Sequence, residues 1–118
     1  MRLPRNRRMS GRGEFLLTRA EGSSRKTRRL ILSVHRDPAL SSLRVAFITP
    51  KHLGQAVLRN QLRRRLRHIL QTSGLDPAAP LRIVTIARHP ARDAPFAQLQ
   101  KDWLYLARKL ELPLLARP

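Results

Sequence analysis

Sixteen consecutive residues, QAVLRNQLRRRLRHIL from Gln55 to Leu70, contain five arginines and no acid. Wound as an α-helix, Leu58, Leu62, Leu66 and Ile69 fall within about 80° of arc, with Leu70 at the edge. Asn60, Arg63, Arg64 and Arg67 project to the far side, and Arg59 and Arg65 flank the stripe. Val57 lies outside it and is expected to be partly exposed. The run has no glutamate at i,i+4 spacing to offset its own repulsion. Such a rod needs an apolar layer against one side, and it offers the other to water or to a polyanion.

The flanking sequence supplies the layer. Thr27–Arg36 contains Leu-Ile-Leu-Ser-Val and reads as a strand, and Leu43–Thr49 as a second. The short Asp-Pro and Ser-Ser connection between them predicts an antiparallel hairpin. LRIVTIAR, Leu81 to Arg88, is β-branched, short and bounded by Pro80 and Pro90, a third strand. Strand, helix, strand predicts a βαβ unit with parallel strands. Gly74, Pro77 and Pro80 end the arginine-rich helix. A short first helix is predicted around Gly13–Ala20, broken by Gly22-Ser23-Ser24, with a further short strand between Ser23 and Arg29. Asp93 is the expected cap of a last helix with Pro95 in its first turn. That helix carries an apolar stripe of Phe96, Leu99, Trp103, Leu106 and Leu110. The organisation expected is a basic arm over 1–12, one domain over 13–112 and a C-terminal tail over 113–118, frayed from Glu111. A mixed sheet with helices against it follows.

Charge narrows the function. Lys and Arg number 25 against seven acids, a net +18. A compact body with that surplus repels itself unless a polyanion neutralises it, which points first to nucleic acid and second to an anionic membrane. The 118 residues suit one domain with a real core. No cysteine is present. That removes disulfides, thiolate chemistry and cysteine-based zinc sites, and it suits a reducing cytosol. The basic start is not followed by the apolar stretch of a signal peptide, and no apolar run is long enough for a bilayer.

A catalytic site is hard to assemble. Glu14, Glu21, Asp37, Asp76, Asp93, Asp102 and Glu111 are scattered singly, and no pair reads as an acid–base dyad or a two-metal site. Asp37 and Asp76 read as turn residues. His35, His52, His68 and His89 lack metal-ligand spacing. No catalytic residue and no metal ligand is therefore assigned. Phe47, Phe96 and Trp103 occupy core positions. Phe15, in GRGEFLLTR, either anchors the first helix to the sheet or offers a face for base stacking.

VAFITPKHLGQAVLRNQLRRRLR resembles the most specific stretch of the protein subunit of bacterial ribonuclease P. The resemblance rests on Lys51, Gly54, Ala56, Val57, Arg59, Asn60, Leu62, Arg63, Arg64 and Arg67, and extends from about Leu3 to Leu110. LPRNRRMSGRGEF and IARHP resemble the family's start and its later strand. Gln61 stands where the family's Arg-Asn-Arg has its second arginine, and Arg19 and Ser33 stand at frequent aromatic positions.

The resemblance implies an α+β fold of order α-β-β-β-α-β-α, a two-layer sandwich whose mixed four-stranded sheet contains a left-handed βαβ crossover. It implies Arg59, Asn60, Arg63, Arg64 and Arg67 as contacts to the catalytic RNA. Arg12, Phe15 and Lys51 are implied as contacts in a cleft between the sheet and the first helix that holds the 5′ leader of precursor tRNA. The holoenzyme would be an endoribonuclease leaving 5′-phosphomonoester ends. The RNA would perform the hydrolysis with Mg2+, and the protein alone would be inactive and bind no cofactor. The implied partners are ribonuclease P RNA and precursor tRNA, one protein per RNA, in the bacterial cytoplasm, with no membrane. Three rivals share parts of this reading: another small RNA-binding protein such as a ribosomal one, a major-groove DNA binder, and a stand-alone nuclease. A basic-region zipper is ruled out among the second because Gly74, Pro77 and Pro80 interrupt any heptads after Leu70.

Overall fold

The computed structural model describes residues 7–9 and 11–114. The elements run α1 (Gly11–Glu21), β1 (Ser23–Lys26), β2 (Leu30–Arg36), β3 (Arg44–Ile48), α2 (Ala56–Thr72), β4 (Leu81–Ala87) and α3 (Phe96–Lys109). Short 3₁₀ turns at Lys51–Leu53 and His89–Asp93 lead into α2 and α3. This is the expected α+β order, and the four strands form one mixed sheet in the order β1-β2-β4-β3. β3 and β4 are parallel and joined through α2.

The predicted hairpin between the second and third strands does not form. β4 inserts between β2 and β3, antiparallel to the first and parallel to the second. The connection explains why. The Asp37 amide donates to the Pro80 carbonyl at 3.1 Å and the Leu43 amide to the Pro77 carbonyl at 3.2 Å. The segment entering β4 is thus held between the ends of the two strands, and β4 continues into the gap.

Alternation along the strands gives the sheet two unlike faces. Leu30, Leu32, Val34, Val45, Ile83 and Ala87 face α2 and α3 and are buried, with Leu62, Leu66, Ile69, Leu70, Leu99, Trp103 and Leu106 closing the layer above them. Trp103 is fully buried and donates its indole N–H to Thr85 Oγ1 at 3.1 Å. That satisfies the one polar atom a core tryptophan brings with it. Phe47 and Phe96 pack at the margin of this core, half-buried. The opposite face carries Ile31, Ser33 and His35 on β2, Ala46 and Ile48 on β3, and Arg82, Val84 and Ile86 on β4. α1 packs against β2 and β4 on this side.

Three boundaries differ from expectation. α1 starts at Gly11, two residues early. Asp93 does not cap α3: it closes the 3₁₀ turn begun near Pro90, and Ala94 and Pro95 are extended, so the helix starts only at Phe96 with no side-chain cap. From Glu111 to Leu114 the chain is not frayed. Leu112 is buried, the Asp76 amide donates to the Pro113 carbonyl at 3.1 Å, and Leu114 bridges to Leu75. Burial of Leu112 and the half-buried Leu114 draws this strip back over the loop after α2. Residues 115–118 of the expected tail, and 1–6 and 10 of the expected arm, lie outside the described residues. Within the arm, Arg8 bridges to Val45 and the Met9 amide donates to the Val45 carbonyl at 2.8 Å, which covers part of the outer edge of β3.

Candidate nucleic-acid interface

α2 begins where the chain turns through Gly54, whose φ of 137° is one that side-chain-bearing residues rarely adopt. A Cβ there would also stand 3.1 Å from the Leu58 side chain. The Lys51–Leu53 turn buries Leu53 and leaves Lys51 and His52 exposed just before the helix. The amino end of α2 has no side-chain cap and no acid in its first turn. Leu62, Leu66, Ile69 and Leu70 are buried, Leu58 is half-buried, and Val57 is 76% exposed, as the stripe predicts.

The arginines are arranged differently from the expected outward ridge. Arg64 is exposed, and so is Asn60. Arg63 and Arg67, each one position after a buried leucine, are half-buried and turn along the flank toward β3. Arg63 donates to Thr49 Oγ1 and to Asn60 Oδ1. The Arg67 guanidinium lies 5.9 Å from the centre of the Phe47 ring. Long stems of this kind lie along apolar surface while the charged head stays at the rim. Arg59 donates from Nε to the Gly54 carbonyl at 3.1 Å. Arg8, Arg63, Arg64 and Arg67 form one connected surface: burial first, then repulsion from Arg8, Arg63 and Arg64, hold the Arg67 guanidinium below its ordinary value. It stays charged, as arginine does in proteins. Arg8 belongs to this patch and was not singled out from sequence, because a basic arm gives no sign that it pairs with β3.

Among the described residues no α2 arginine forms an ion pair. Three of the seven acids are engaged elsewhere. Glu14 accepts from Arg44 and Arg82, Asp37 from Arg82, and Asp102 from Arg29. The expected "scattered" carboxylates thus include structural pins. Asp37 and Asp76 also accept the amides of Ala39 and Ala78, the turn roles predicted for them. Among the described residues no three histidines or acids converge to hold a metal ion, and no helix is long and apolar enough to cross a membrane.

The second face of the sheet is only partly covered. α1 lies over the buried Val84 and Ser33 and leaves the next row, Ile31, Ile86 and Ile48, half-exposed. A groove of about 480 Å³ opens there. Its floor is Ile31 and Ile86, and Arg28, Arg88, His52 and His89 stand around it with Pro50 and Pro90. Arg12 is exposed on the first turn of α1, Phe15 is half-buried one turn on, and Lys51 is exposed beyond the other end of β3. The structure therefore distributes these three around one face of the sheet and does not gather them into one contact. His52 and His89 read from sequence as surface or phosphate-contacting residues, but their meeting with Arg28 and Arg88 around one groove was not foreseen, because the four come from three separate turns.

Comparison with known proteins agrees with this architecture. The family model described as Ribonuclease P matches residues 3–111. The chain is 36% identical over 100 residues to the ribonuclease P protein component of Beutenbergia cavernae, covering 85% of this chain and 84% of that one. Its fold is similar to that of the Staphylococcus aureus ribonuclease P protein, with a TM-score of 0.77, 25% identity, and coverage of 87% and 94%. It is similar also to that of Thermotoga maritima, with a TM-score of 0.73, 25% identity, and coverage of 86% and 96%. The chain belongs to the bacterial ribonuclease P protein family.

Proposed function

We propose that this subunit docks on a catalytic RNA through the α2 flank and holds the single-stranded 5′ leader of precursor tRNA on the open face of the sheet. The observation that carries the reading is the patch of Arg8, Arg59, Arg63, Arg64 and Arg67, in which no α2 arginine has an acidic partner among the described residues. Phosphates supply the missing counter-charge, and each one neutralised releases condensed cations. Asn60 and Arg64, exposed, meet the RNA from the crest of the helix. Arg63 and Arg67 meet it from the side, pre-positioned by Thr49 and Phe47.

The half-exposed isoleucine row fits the leader. An apolar floor accepts base faces of any sequence, and Arg28, Arg88 and Lys51 offer donors to the backbone, so weak sequence preference follows. Arg12 and Phe15 approach the same face from α1. In this reading phosphodiester hydrolysis and its magnesium belong to the RNA. The protein's own residues bind, orient and neutralise.

The test is reconstitution. This chain with its cognate catalytic RNA should cleave precursor tRNA at magnesium concentrations where the RNA by itself is slow, and the chain without RNA should not cleave. Recovery of ribosomal RNA but no ribonuclease P RNA with the tagged protein would overturn the docking half of the reading. Equal affinity of the holoenzyme for substrates with and without a leader would overturn the other half.

A further inference from the structure

α1 is a helix with almost no apolar anchor. Thr18 is its only buried residue, and Leu16 and Leu17 are 47% and 39% exposed. A surface helix ordinarily holds its place by a buried apolar stripe, so something else must fix this one. Its carboxyl end is fixed by close approach: a Cβ on Gly22 would stand 2.4 Å from the Val34 carbonyl oxygen, so the chain there lies directly on β2. Before its amino end the Met9 amide ties the chain to the Val45 carbonyl, and within its amino half one charged side chain holds it to the sheet. Glu14 accepts from Arg44 Nε at 3.0 Å on Oε2, from Arg44 at 2.7 Å on Oε1, and from Arg82 Nε at 3.0 Å on Oε2. Arg82 is held in turn by Asp37 at 2.7 Å and meets His35 Nδ1 at 3.3 Å. Glu14 and Arg82 side chains are each 13% exposed, so water screens this cluster weakly.

We infer that Glu14 is a positioning residue for leader binding: by clamping α1 to the first residue of β3 and to β4, it sets where Arg12 and Phe15 stand over the sheet. This rests on the leader reading above. Bidentate carboxylate–guanidinium geometry fixes direction as well as distance, which an apolar contact does not. Arg12 lies two residues before Glu14 and Phe15 one after it on the same helix, so the clamp fixes them too. Without it the amino half of α1 shifts within the slack left between the Met9–Val45 bond and the tight backbone approach at Gly22. The RNA-docking flank of α2 lies on the other layer and does not sense the change.

The test uses the holoenzyme with Glu14→Gln, which keeps the side chain's size and removes its charge. The protein's affinity for the catalytic RNA and the holoenzyme's affinity for leaderless substrate should stay at wild-type values. Affinity for leader-bearing substrate should fall about five- to 150-fold, the range of one displaced stacking contact. The apparent KM should rise while kcat at saturation holds. Exchanging the charges, Glu14→Arg with Arg44→Glu, should restore much of the loss. A second readout does not depend on the leader. The chain has no cysteine, so Arg12→Cys and Gln61→Cys can carry a spin-label pair. Their distance distribution should be narrow with Glu14, broad with Glu14→Gln and narrow again in the exchange. A folded Glu14→Gln protein with a narrow distance and an undiminished leader effect overturns the clamp. A wild-type holoenzyme with no leader effect overturns the leader reading, and the clamp's role in binding with it.

Discussion

Replacing Arg63 and Arg67 together by alanine tests the docking surface most directly. Both guanidiniums lie on the β3 flank of α2, beside Arg8 and Arg64. Each phosphate contact contributes about 0.7–0.9 to the slope of log affinity against log salt, so losing two should flatten it by about 1.4–1.8. Over a rise from about 50 to 200 mM salt, the wild type should then lose about seven- to twelvefold more affinity than the variant. Folding should change little. The Arg67–Phe47 contact is worth about 0.5–1 kcal/mol at a partly exposed site. Removing two mutually repelling cations returns part of that. The assay is fluorescence anisotropy of labelled catalytic RNA at four salt concentrations, with urea unfolding to confirm the fold. Lys101→Ala with Arg108→Ala, exposed on α3, is the charge-matched control and should leave the slope near that of the wild type. If the control flattens the slope as much as the α2 pair, binding reflects net charge and the α2 flank is not the docking surface.

Trp103→Ala removes a fully buried indole and leaves Thr85 Oγ1 without its donor; urea unfolding should show a loss of about 3–5 kcal/mol. Gly22→Ala places a methyl group against the Val34 and Thr18 carbonyl oxygens and should cost about 1–3 kcal/mol, read as a lowered urea midpoint. Glu14 and Asp37 ionise below their ordinary values of 4.5 and 3.8, Glu14 chiefly through its bond from Arg44 and Asp37 chiefly through its bond from Arg82. Groups that ionise more readily when folded add stability above the unfolded value and lose it as pH falls through the folded one. Stability should therefore decline below about pH 5, less steeply in Glu14→Gln.

Elements governed by local pattern were legible in the sequence. The leucine stripe of α2, the α3 stripe around Trp103, and the three main strands all follow from spacing. The sheet order was not. The short connection argued for a hairpin, and only the amides of Asp37 and Leu43, bonded to Pro80 and Pro77, show why β4 intervenes. A clue lay in β4 itself: Ile83, Val84, Thr85 and Ile86 are apolar or β-branched on both faces, the pattern of a strand covered on both sides. The fold-back of the chain after α3 was illegible for another reason. Glu111 takes the left-handed conformation, φ 58°, that usually signals glycine. Its amide bonds the Arg108 carbonyl and the Leu112 amide that of Ala107, a Schellman closure. At the interface, the residue types of the α2 patch were legible, but their direction was not. Helical angle alone sends Arg63 and Arg67 outward, and the partners that turn them, Thr49 and Phe47, belong to a different element.

That turn ties stability to recognition. Leu62 and Leu66 are each followed by an arginine, so the side chains that seat α2 on the sheet also fix the azimuth of the two cations on the β3 flank. Residues four apart on a helix stand about 5–6 Å from each other. Arg63 and Arg67 are therefore presented as a pair at fixed spacing, with Arg64 beside them. Holding like charges so close is unfavourable, and no acid of the described chain relieves it. The opposing term is the burial of Leu62, Leu66, Ile69 and Leu70, each worth about 1.5–3 kcal/mol on complete burial. The acids that might have neutralised α2 act on other elements, where Glu14 and Asp37 pin Arg82 and Asp102 pins Arg29. A chain of this charge can fold because its few carboxylates hold the arginines that position structure, and its leucines hold those left for a polyanion.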